Sequence, residues 1–274
     1  MDFERTRLDK VIRRRYGKDI SQSTIEKAIR NKDILVNGQK VPSSFKVLEE
    51  SDEIYVHDSF GIKNIQKINN NKWGGDKFKE LIIYEDENII AINKPSGLAV
   101  QLGTSIKTAV DVMAKEYNSE ARLVHRIDRN TSGITILSKN LKTSRYMLYL
   151  FNQKEVRKTY IMIVSSADNL KNGVVDAQIN NKRAITEYKV IKELGDGFAF
   201  LEAFPKTGRM HQIRIHMQHI GCPILGDTKY GGKKHKNFCL HSHKVTFKDL
   251  DGKLVHLIAP IPEYILKYCK LLNN

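Results

Sequence analysis

Apolar positions in the first part of the chain follow a helical spacing. Leu8 and Ile12 share one stripe while arginines fill the others, so residues 5–16 predict a short helix with a basic outer face. Ser23 followed by Glu26 matches the capping-box pattern, in which a serine and a glutamate three residues later satisfy the first backbone N–H groups of a helix. This pattern predicts a second helix that begins at Ser23.

Shorter apolar runs follow these two helices. Asn37-Gly38 separates two of them and is the favoured pair for a type I′ hairpin turn, and residues 52–57 predict a further strand. Residues 1–60 therefore predict a small α/β domain.

Residues 61–79 are rich in Asn, Lys and Gly with little periodicity, which predicts a basic linker that is either solvated or in contact with a polyanion.

Residues 80–274 predict a larger domain. Seven short β-branched and aromatic runs predict strands at 88–93, 133–139, 159–166, 186–194, 198–204, 243–247 and 254–260. Helical patterns lie at 105–117, 141–153, 210–220 and 262–272. Because strands and helices do not alternate strictly, the pattern favours an α+β domain with a mixed, largely antiparallel central sheet and flanking helices.

Charge narrows the range of partners. The 274 residues hold 46 Lys and Arg against 31 Asp and Glu, a net charge of +15, which favours a polyanionic partner. Without a long basic amphipathic helix, nucleic acid is favoured over a membrane surface. The sequence has neither a membrane-spanning apolar run nor a secretory leader, so we expect a cytosolic protein.

One carboxylate lies in an unusually cationic stretch. Asp128 is surrounded by Arg122, His125, Arg126 and Arg129. If residues 124–128 are extended, Arg126 and Asp128 share a face at a strand-to-loop junction, where catalytic groups are common. The neighbouring cations favour the charged carboxylate, and a structural Asp–Arg pair and a catalytic acid both remain open.

Metal and cofactor sites are not predicted. The spacing of His211, His216 and His219 differs from the HExxH pair, and His235, Cys239, His241 and His243 lack a second half-site. The three cysteines form neither a disulfide framework nor a CxxC pair. The chain contains no dinucleotide-binding glycine pattern and no cluster of acids for Mg²⁺, so any chemistry would need one carboxylate and no cofactor.

Four motifs in order resemble the RluA family of pseudouridine synthases. They are "YEDENIIAINKPSGLAV" at 84–100, "HRIDRNTSG" at 125–133 with Ile127 for the usual Leu, "RKTYIMIV" at 157–164 and "GRMHQIRIHMQHIGCPILGDTKYG" at 208–231. Residues 5–60 resemble the S4-type RNA-binding domain that many members carry. The pairing most resembles the RluC and RluD type, which modifies large-subunit ribosomal RNA.

The resemblance implies isomerisation of uridine to pseudouridine in RNA, without metal or cofactor. It implies that Asp128 is the catalytic carboxylate and that Tyr160 packs on the target uracil. It also implies that Arg214 pairs with Asp128 and that Arg126 fills the space left when the uridine leaves the stack.

Further RNA contacts are expected from other cations of the motifs and of the first helix. These are Lys94, Lys158, Arg209, His211, Arg13, Arg14 and Arg15. Met210 and Gln101 depart from the family pattern at positions expected to line the RNA path.

We expect a monomer in the bacterial cytoplasm, acting on 23S ribosomal RNA or a pre-ribosomal particle. Three alternatives are a synthase for transfer RNA, a non-catalytic assembly factor that binds RNA, and a metal-dependent nuclease. The nuclease needs paired carboxylates that the sequence does not offer.

Overall fold

The computed structural model describes residues 6–16, 20–49, 51–56, 75–102 and 108–271. The chain divides into two compact units, one of residues 1–72 with 102–108 and the other of residues 73–101 with 109–274. Within the described ranges, none of the helices combines the length and the apolar character needed to cross a membrane.

Where the structure describes it, the first unit is a pair of helices beside a two-stranded sheet. Its elements are α1 Leu8–Tyr16, α2 Gln22–Arg30, β1 Ile34–Val36 and β2 Ile54–Val56. The two strands pair antiparallel. The helical stripes predicted from the sequence supply the core, in which Leu8, Ile12, Ile25 and Ile29 are almost fully buried together with Ile34.

Two local details of this unit differ from the prediction. The N-cap of α2 is Ser21, whose hydroxyl accepts from Thr24 N, and not Ser23. Glu26 is therefore free of the capping role and accepts hydrogen bonds from the backbone and the hydroxyl of Ser44. The Asn37-Gly38 turn has positive φ at both residues and is closed by pairing of Val36 with Gln39, as in a type I′ hairpin. The pairing ends there, and β1 instead pairs with β2.

The second unit carries most of the secondary structure. Its helices are α3 Gly75–Leu81, α4 Val110–Tyr117, α5 Leu141–Gln153, α6 Gln212–His219 and α7 Glu263–Leu271. Its strands are β3 Ile82–Glu85, β4 Ile89–Lys94, β5 Arg122–Leu123, β6 Ser132–Ser138, β7 Arg157–Val164, β8 Gly173–Asp176, β9 Ile185–Gly195, β10 Phe198–Pro205, β11 Leu240–Lys248 and β12 Leu254–Ile258.

The ten strands in the described part of this unit form one sheet. The order along its main path is β3-β4-β6-β11-β7-β10-β9-β8, with β12 on β11 and β5 on β6. Every pairing is antiparallel except that of β6 with β11. The predicted α+β fold with a mixed, largely antiparallel sheet is therefore confirmed.

Four elements of the second unit lie where the sequence predicted something else. Helix α3 begins inside the stretch predicted as a linker, and its Phe78 is fully buried against Ile90 and Met113. Strands β3, β5 and β8 fall outside the predicted runs, since all three are short and partly exposed. The limits of 60 and 80 for the domains stay predictions, because most of residues 61–79 lies outside the described ranges.

Gly133 allows the two central strands to approach closely. It has φ +105, and a Cβ at this position would overlap the carbonyl oxygen of Ser242 on β11. Only glycine combines this backbone conformation with the absence of a side chain. The contact fixes the beginning of β6 and therefore the loop that enters it.

Candidate active site

Asp128 lies in the loop between β5 and β6, on the wall of an open cavity of about 1150 Å³. The loop turns back on itself where Thr131 N donates to the backbone oxygen of Asp128 at 3.1 Å. The side chain is 24% exposed, so a molecule in the cavity can reach it. Among the described residues that line the cavity, Asp128 is the only carboxylate.

Buried Lys94 fixes this loop from behind. Its ammonium group donates to the backbone oxygens of Pro95, Leu98 and Arg129 at 2.9, 2.7 and 3.0 Å. Burial lowers the pKa of Lys94 to about 7, and the charge of Asp128 opposes this shift. The RNA contact expected of Lys94 is wrong, because the side chain is 0% exposed and all three donors are used within the protein.

Arg214 on α6 connects Asp128 to a second, buried carboxylate. Its Nη1 lies 3.2 Å from Oδ2 of Asp128, while Nε and Nη2 bind Asp227 at 2.7 and 2.8 Å. The rings of Tyr230 and Phe238 cover the guanidinium group at 4.8 and 5.2 Å. Two-point binding to Asp227 and the two rings hold Arg214 in one orientation, which leaves one nitrogen for Asp128.

Tyr160 reaches the same cavity from β7, where it pairs with Ala203 of β10 and Ser242 of β11. Burial raises the pKa of its hydroxyl to about 12; the neighbouring Ser242 hydroxyl opposes the shift and the charge of Asp128 adds to it. The hydroxyl is therefore protonated at neutral pH and can donate a hydrogen bond but cannot accept a proton. The structure thus brings Tyr160, Arg214 and Asp128 to one site.

His211 approaches the carboxylate oxygen of Asp128 that Arg214 does not contact. Its Nε2 is 3.8 Å from Oδ1 of Asp128, and its Nδ1 is 2.8 Å from the hydroxyl of Tyr230. The side chain is about one-fifth exposed, at 19%. A residue expected to contact RNA is therefore held close to the carboxylate.

The cavity is strongly cationic. Besides Arg214, seven described Lys and Arg residues line it: Arg126, Arg129, Lys154, Arg157, Lys158, Lys206 and Arg209. Arg126 and Arg209 are exposed, whereas burial lowers the pKa of Lys158. Gln101 and Met210, the two departures from the family pattern, also line the cavity.

The arginines of the first helix, predicted to contact RNA, are not among the described residues that line this cavity. Arg13 binds Asp9, the backbone oxygen of Ile20 and the Gln22 side chain at 3.0, 2.9 and 2.7 Å. Its guanidinium group is thus occupied by a network within the first unit, which does not favour contact with RNA. The side chains of Arg14 and Arg15 lie outside the described residues.

Sequence reasoning missed Asp227 and Tyr230. Both lie in "GDTKYG", at the end of the motif at 208–231, where the family resemblance assigns neither of them a role. The available signal was the presence of a lone acid 13 residues after Arg214 in the same motif.

Within the described ranges, no group of three or more His, Cys, Asp or Glu side chains is arranged to hold a metal ion, and the expectation of metal-free chemistry stays a prediction.

Comparison with known families and structures agrees with this geometry. A sequence model of the family described as RNA pseudouridylate synthase matches residues 88–219, and that of the S4 domain matches residues 6–54. Among solved structures, the human protein titled RNA pseudouridylate synthase domain containing 4 superposes with a TM-score of 0.62 at 23% identity. The match covers 72% of this chain and 95% of that chain and shows a shared fold.

Two relatives extend the similarity to nearly the whole chain. The ribosomal large subunit pseudouridine synthase C of Rickettsia bellii is 39% identical over 94% of this chain and 95% of its own length. The protein of the same name from Vibrio vulnificus is 33% identical over 85% of this chain and 79% of its own length. The sequence similarity, the shared fold and the position of Asp128, the single carboxylate among the described residues of a cationic cavity, agree: the chain belongs to the RNA pseudouridylate synthase family.

Proposed function

We propose that the protein converts uridine to pseudouridine in large-subunit ribosomal RNA, with Asp128 as the reacting carboxylate. The observation that carries the proposal is the position of Asp128, the only described carboxylate in a cavity lined by cations, with Arg214 at 3.2 Å. The relatives from Rickettsia and Vibrio are named for the large ribosomal subunit, which supports this choice of RNA.

The reaction needs only the groups that the site offers. The bond between N1 of uracil and C1′ of ribose breaks, the base rotates, and a bond forms between C5 and C1′. C5 loses its proton and N1 gains one, so the product is an isomer and the balance requires no cofactor. A carboxylate acts on the ribose as a nucleophile or as a base, and both roles require its charged form. The Arg214 cation stabilises that charge.

The other side chains of the cavity fit supporting roles. Tyr160 offers a ring face on which uracil can stack and a protonated hydroxyl that can donate to the base. Arg126 is exposed on the cavity wall beside Asp128, where it can occupy the space of a flipped nucleotide. Lys158 and Arg209 can contact phosphate groups.

The setting of the reaction is part of the same proposal. The protein acts as a monomer in the bacterial cytoplasm on 23S ribosomal RNA or a pre-ribosomal particle. Its S4 domain, matched over residues 6–54, supports an RNA partner beyond the target nucleotide.

Asp128→Asn tests the role of the carboxylate. The variant keeps the shape of the side chain and removes its charge, so we expect pseudouridine formation to fall by at least about a thousandfold while RNA binding and folding stay unchanged. Tritium release from RNA that carries [5-³H]uridine measures the reaction, because C5 loses its hydrogen.

Asp251→Asn is the matched control. Asp251 lies in the exposed turn between β11 and β12, outside the cavity lining, so this variant should keep full activity. Release of tritium at the wild-type rate by Asp128→Asn would refute the assignment of Asp128.

The choice of RNA has a separate test. Pseudouridines are mapped in total RNA from cells with and without the gene. We expect sites in large-subunit ribosomal RNA to disappear in the deletion strain. If only transfer RNA sites disappear, the ribosomal assignment is wrong while the chemistry stands.

A further inference from the structure

His211 has a strained backbone that the surrounding structure holds in place. It precedes α6 with φ 56, in the left-handed region that residues with a side chain rarely adopt. The next residue, Gln212, is buried, and its side-chain oxygen accepts from Thr207 Oγ1 at 2.6 Å and from Arg209 N at 3.0 Å. The chain on both sides of His211 is therefore fixed, and the imidazole has a defined direction.

The imidazole connects Tyr230 to Asp128. Its Nδ1 lies 2.8 Å from the Tyr230 hydroxyl, and its Nε2 lies 3.8 Å from Oδ1 of Asp128. The Tyr230 ring meets the His211 ring edge to face and also covers the guanidinium group of Arg214. One tyrosine thus contacts both groups that approach the carboxylate.

Burial favours the neutral form of the His211 ring. Burial lowers the pKa of His211; Asp128 and Asp227 raise it, and Arg214 and Lys229 lower it further. A neutral imidazole carries a single N–H. If that hydrogen were on Nδ1, the lone pair of Nε2 would face the Asp128 carboxylate and repel it. Donation by the Tyr230 hydroxyl to Nδ1 instead places the hydrogen on Nε2, toward Oδ1.

We propose that Tyr230 and His211 form a positioning pair, in which Tyr230 fixes the imidazole with its N–H on Nε2 and the imidazole orients Oδ1 of Asp128 toward the uridine. The inference rests on the proposed role of Asp128. Arg214 takes Oδ2, so the pair acts on the oxygen that Arg214 leaves for the reaction. His211 is then a positioning residue and not the RNA contact that the sequence suggested.

His211→Asn is the first test. Asparagine tolerates the left-handed conformation but is too short to reach Asp128, so the protein should fold. We expect kcat on the RNA substrate to fall by about ten- to a hundredfold, because a small misplacement of a reacting group is costly, while KM changes less than about twofold. The matched control is His219→Asn, an exposed histidine of the same helix outside the cavity lining, which should keep both constants.

Tyr230→Phe is the second test. It keeps the ring on Arg214 and removes only the hydroxyl, and we expect kcat to fall by about three- to tenfold with KM unchanged. Tyr84→Phe is its control, since the Tyr84 hydroxyl donates to Asp86 outside the cavity and the variant should keep wild-type kinetics.

¹⁵N NMR of histidine-labelled protein measures directly which ring nitrogen of His211 carries the hydrogen. It should show hydrogen on Nε2 of His211 in the wild type and a mixture of both forms in Tyr230→Phe.

Three results would overturn the inference: an unchanged kcat in His211→Asn, a loss confined to KM, or hydrogen on Nδ1 in the wild-type spectrum. A loss confined to KM would assign His211 to RNA binding.

Asp128→Asn, measured in parallel, separates the positioning pair from the proposed function. If Asp128→Asn stays active, the proposed function fails, whereas an inactive Asp128→Asn beside a normal His211→Asn refutes the positioning pair alone.

Discussion

Asp227 determines where the guanidinium group of Arg214 lies. The two side chains are 2% and 7% exposed and share two hydrogen bonds at 2.7 and 2.8 Å. A buried arginine that loses such a partner keeps an uncompensated charge. The orientation of Arg214 toward Asp128 therefore depends on a residue that has no contact with the cavity.

Asp227→Asn should weaken both stability and activity. We expect the free energy of unfolding to fall by about 3 kcal/mol, since one partner of a buried pair loses its charge. Turnover should fall at least about tenfold, because Arg214 can then leave Oδ2 of Asp128. Urea unfolding and tritium release measure the two effects.

Asp176→Asn is the control for this variant. It removes the same kind of two-point Asp–Arg contact, with Arg183, but on the surface, where solvent screens the pair. We expect it to behave as the wild type. Equal effects of the two substitutions would show that burial of the Asp227 pair has no special role.

At the scale of single residues, the sequence named the proposed reacting group but not the residues that hold it in place. Asp128, Tyr160 and Arg214 were named from motifs, and the structure brings all three together. The role of Lys94 was missed, because its partners are backbone oxygens, which leave no trace in the pattern of side chains.

At the scale of elements, the contact of β6 with β11 depends on Gly133. We expect Gly133→Ala to lower the free energy of unfolding by at least about 2 kcal/mol, since the new methyl group meets the Ser242 backbone and the φ of +105 is unfavourable for alanine. Chemical denaturation measures the change.

Gly252→Ala separates the two causes of the loss expected for Gly133→Ala, which are overlap with the Ser242 backbone and an unfavourable φ. Gly252 has φ +79 in the turn between β11 and β12, and a Cβ there would have no neighbour within 4 Å. This variant should lose only about 1 kcal/mol, the cost of the backbone conformation. If both variants lost the same amount, close approach of the strands would not explain Gly133.

Element limits were predicted well where periodicity alone decides them. Helix α5 occupies Leu141–Gln153, the range predicted from its pattern. Helix α6 begins at Gln212 and not at 210, because His211 turns into the left-handed region without the glycine that normally signals it. The edge strand β8 was missed because its half-exposed residues show too little hydrophobic pattern.

At the scale of the whole molecule, the cations that line the cavity are expected to bind the phosphate groups of RNA. We expect RNA affinity to fall with salt, with a slope of log K against log salt between about −3 and −5, if most of the seven exposed or partly exposed cations release a counterion each. Filter binding or fluorescence anisotropy over a range of salt concentrations measures the slope.

Arg157→Gln should reduce the magnitude of this slope by about one, because Arg157 is an exposed cation of the cavity. Lys267→Gln, on the exposed side of α7 and paired with Glu263, should leave it unchanged. A slope near zero for the wild type would mean that the net charge of +15 does not act on RNA phosphates.

The position of β11 in the sheet determines when the active site can assemble during synthesis of the chain. This strand lies between β6 and β7 in the sheet, yet residues 240–248 are synthesised after both of them. Until they leave the ribosome, β6 with its Asp128 loop and β7 with Tyr160 have no strand between them. Asp128, Tyr160 and Arg214 are therefore all synthesised before the strand that joins this part of the sheet, so we expect a nascent chain that lacks β11 to be inactive.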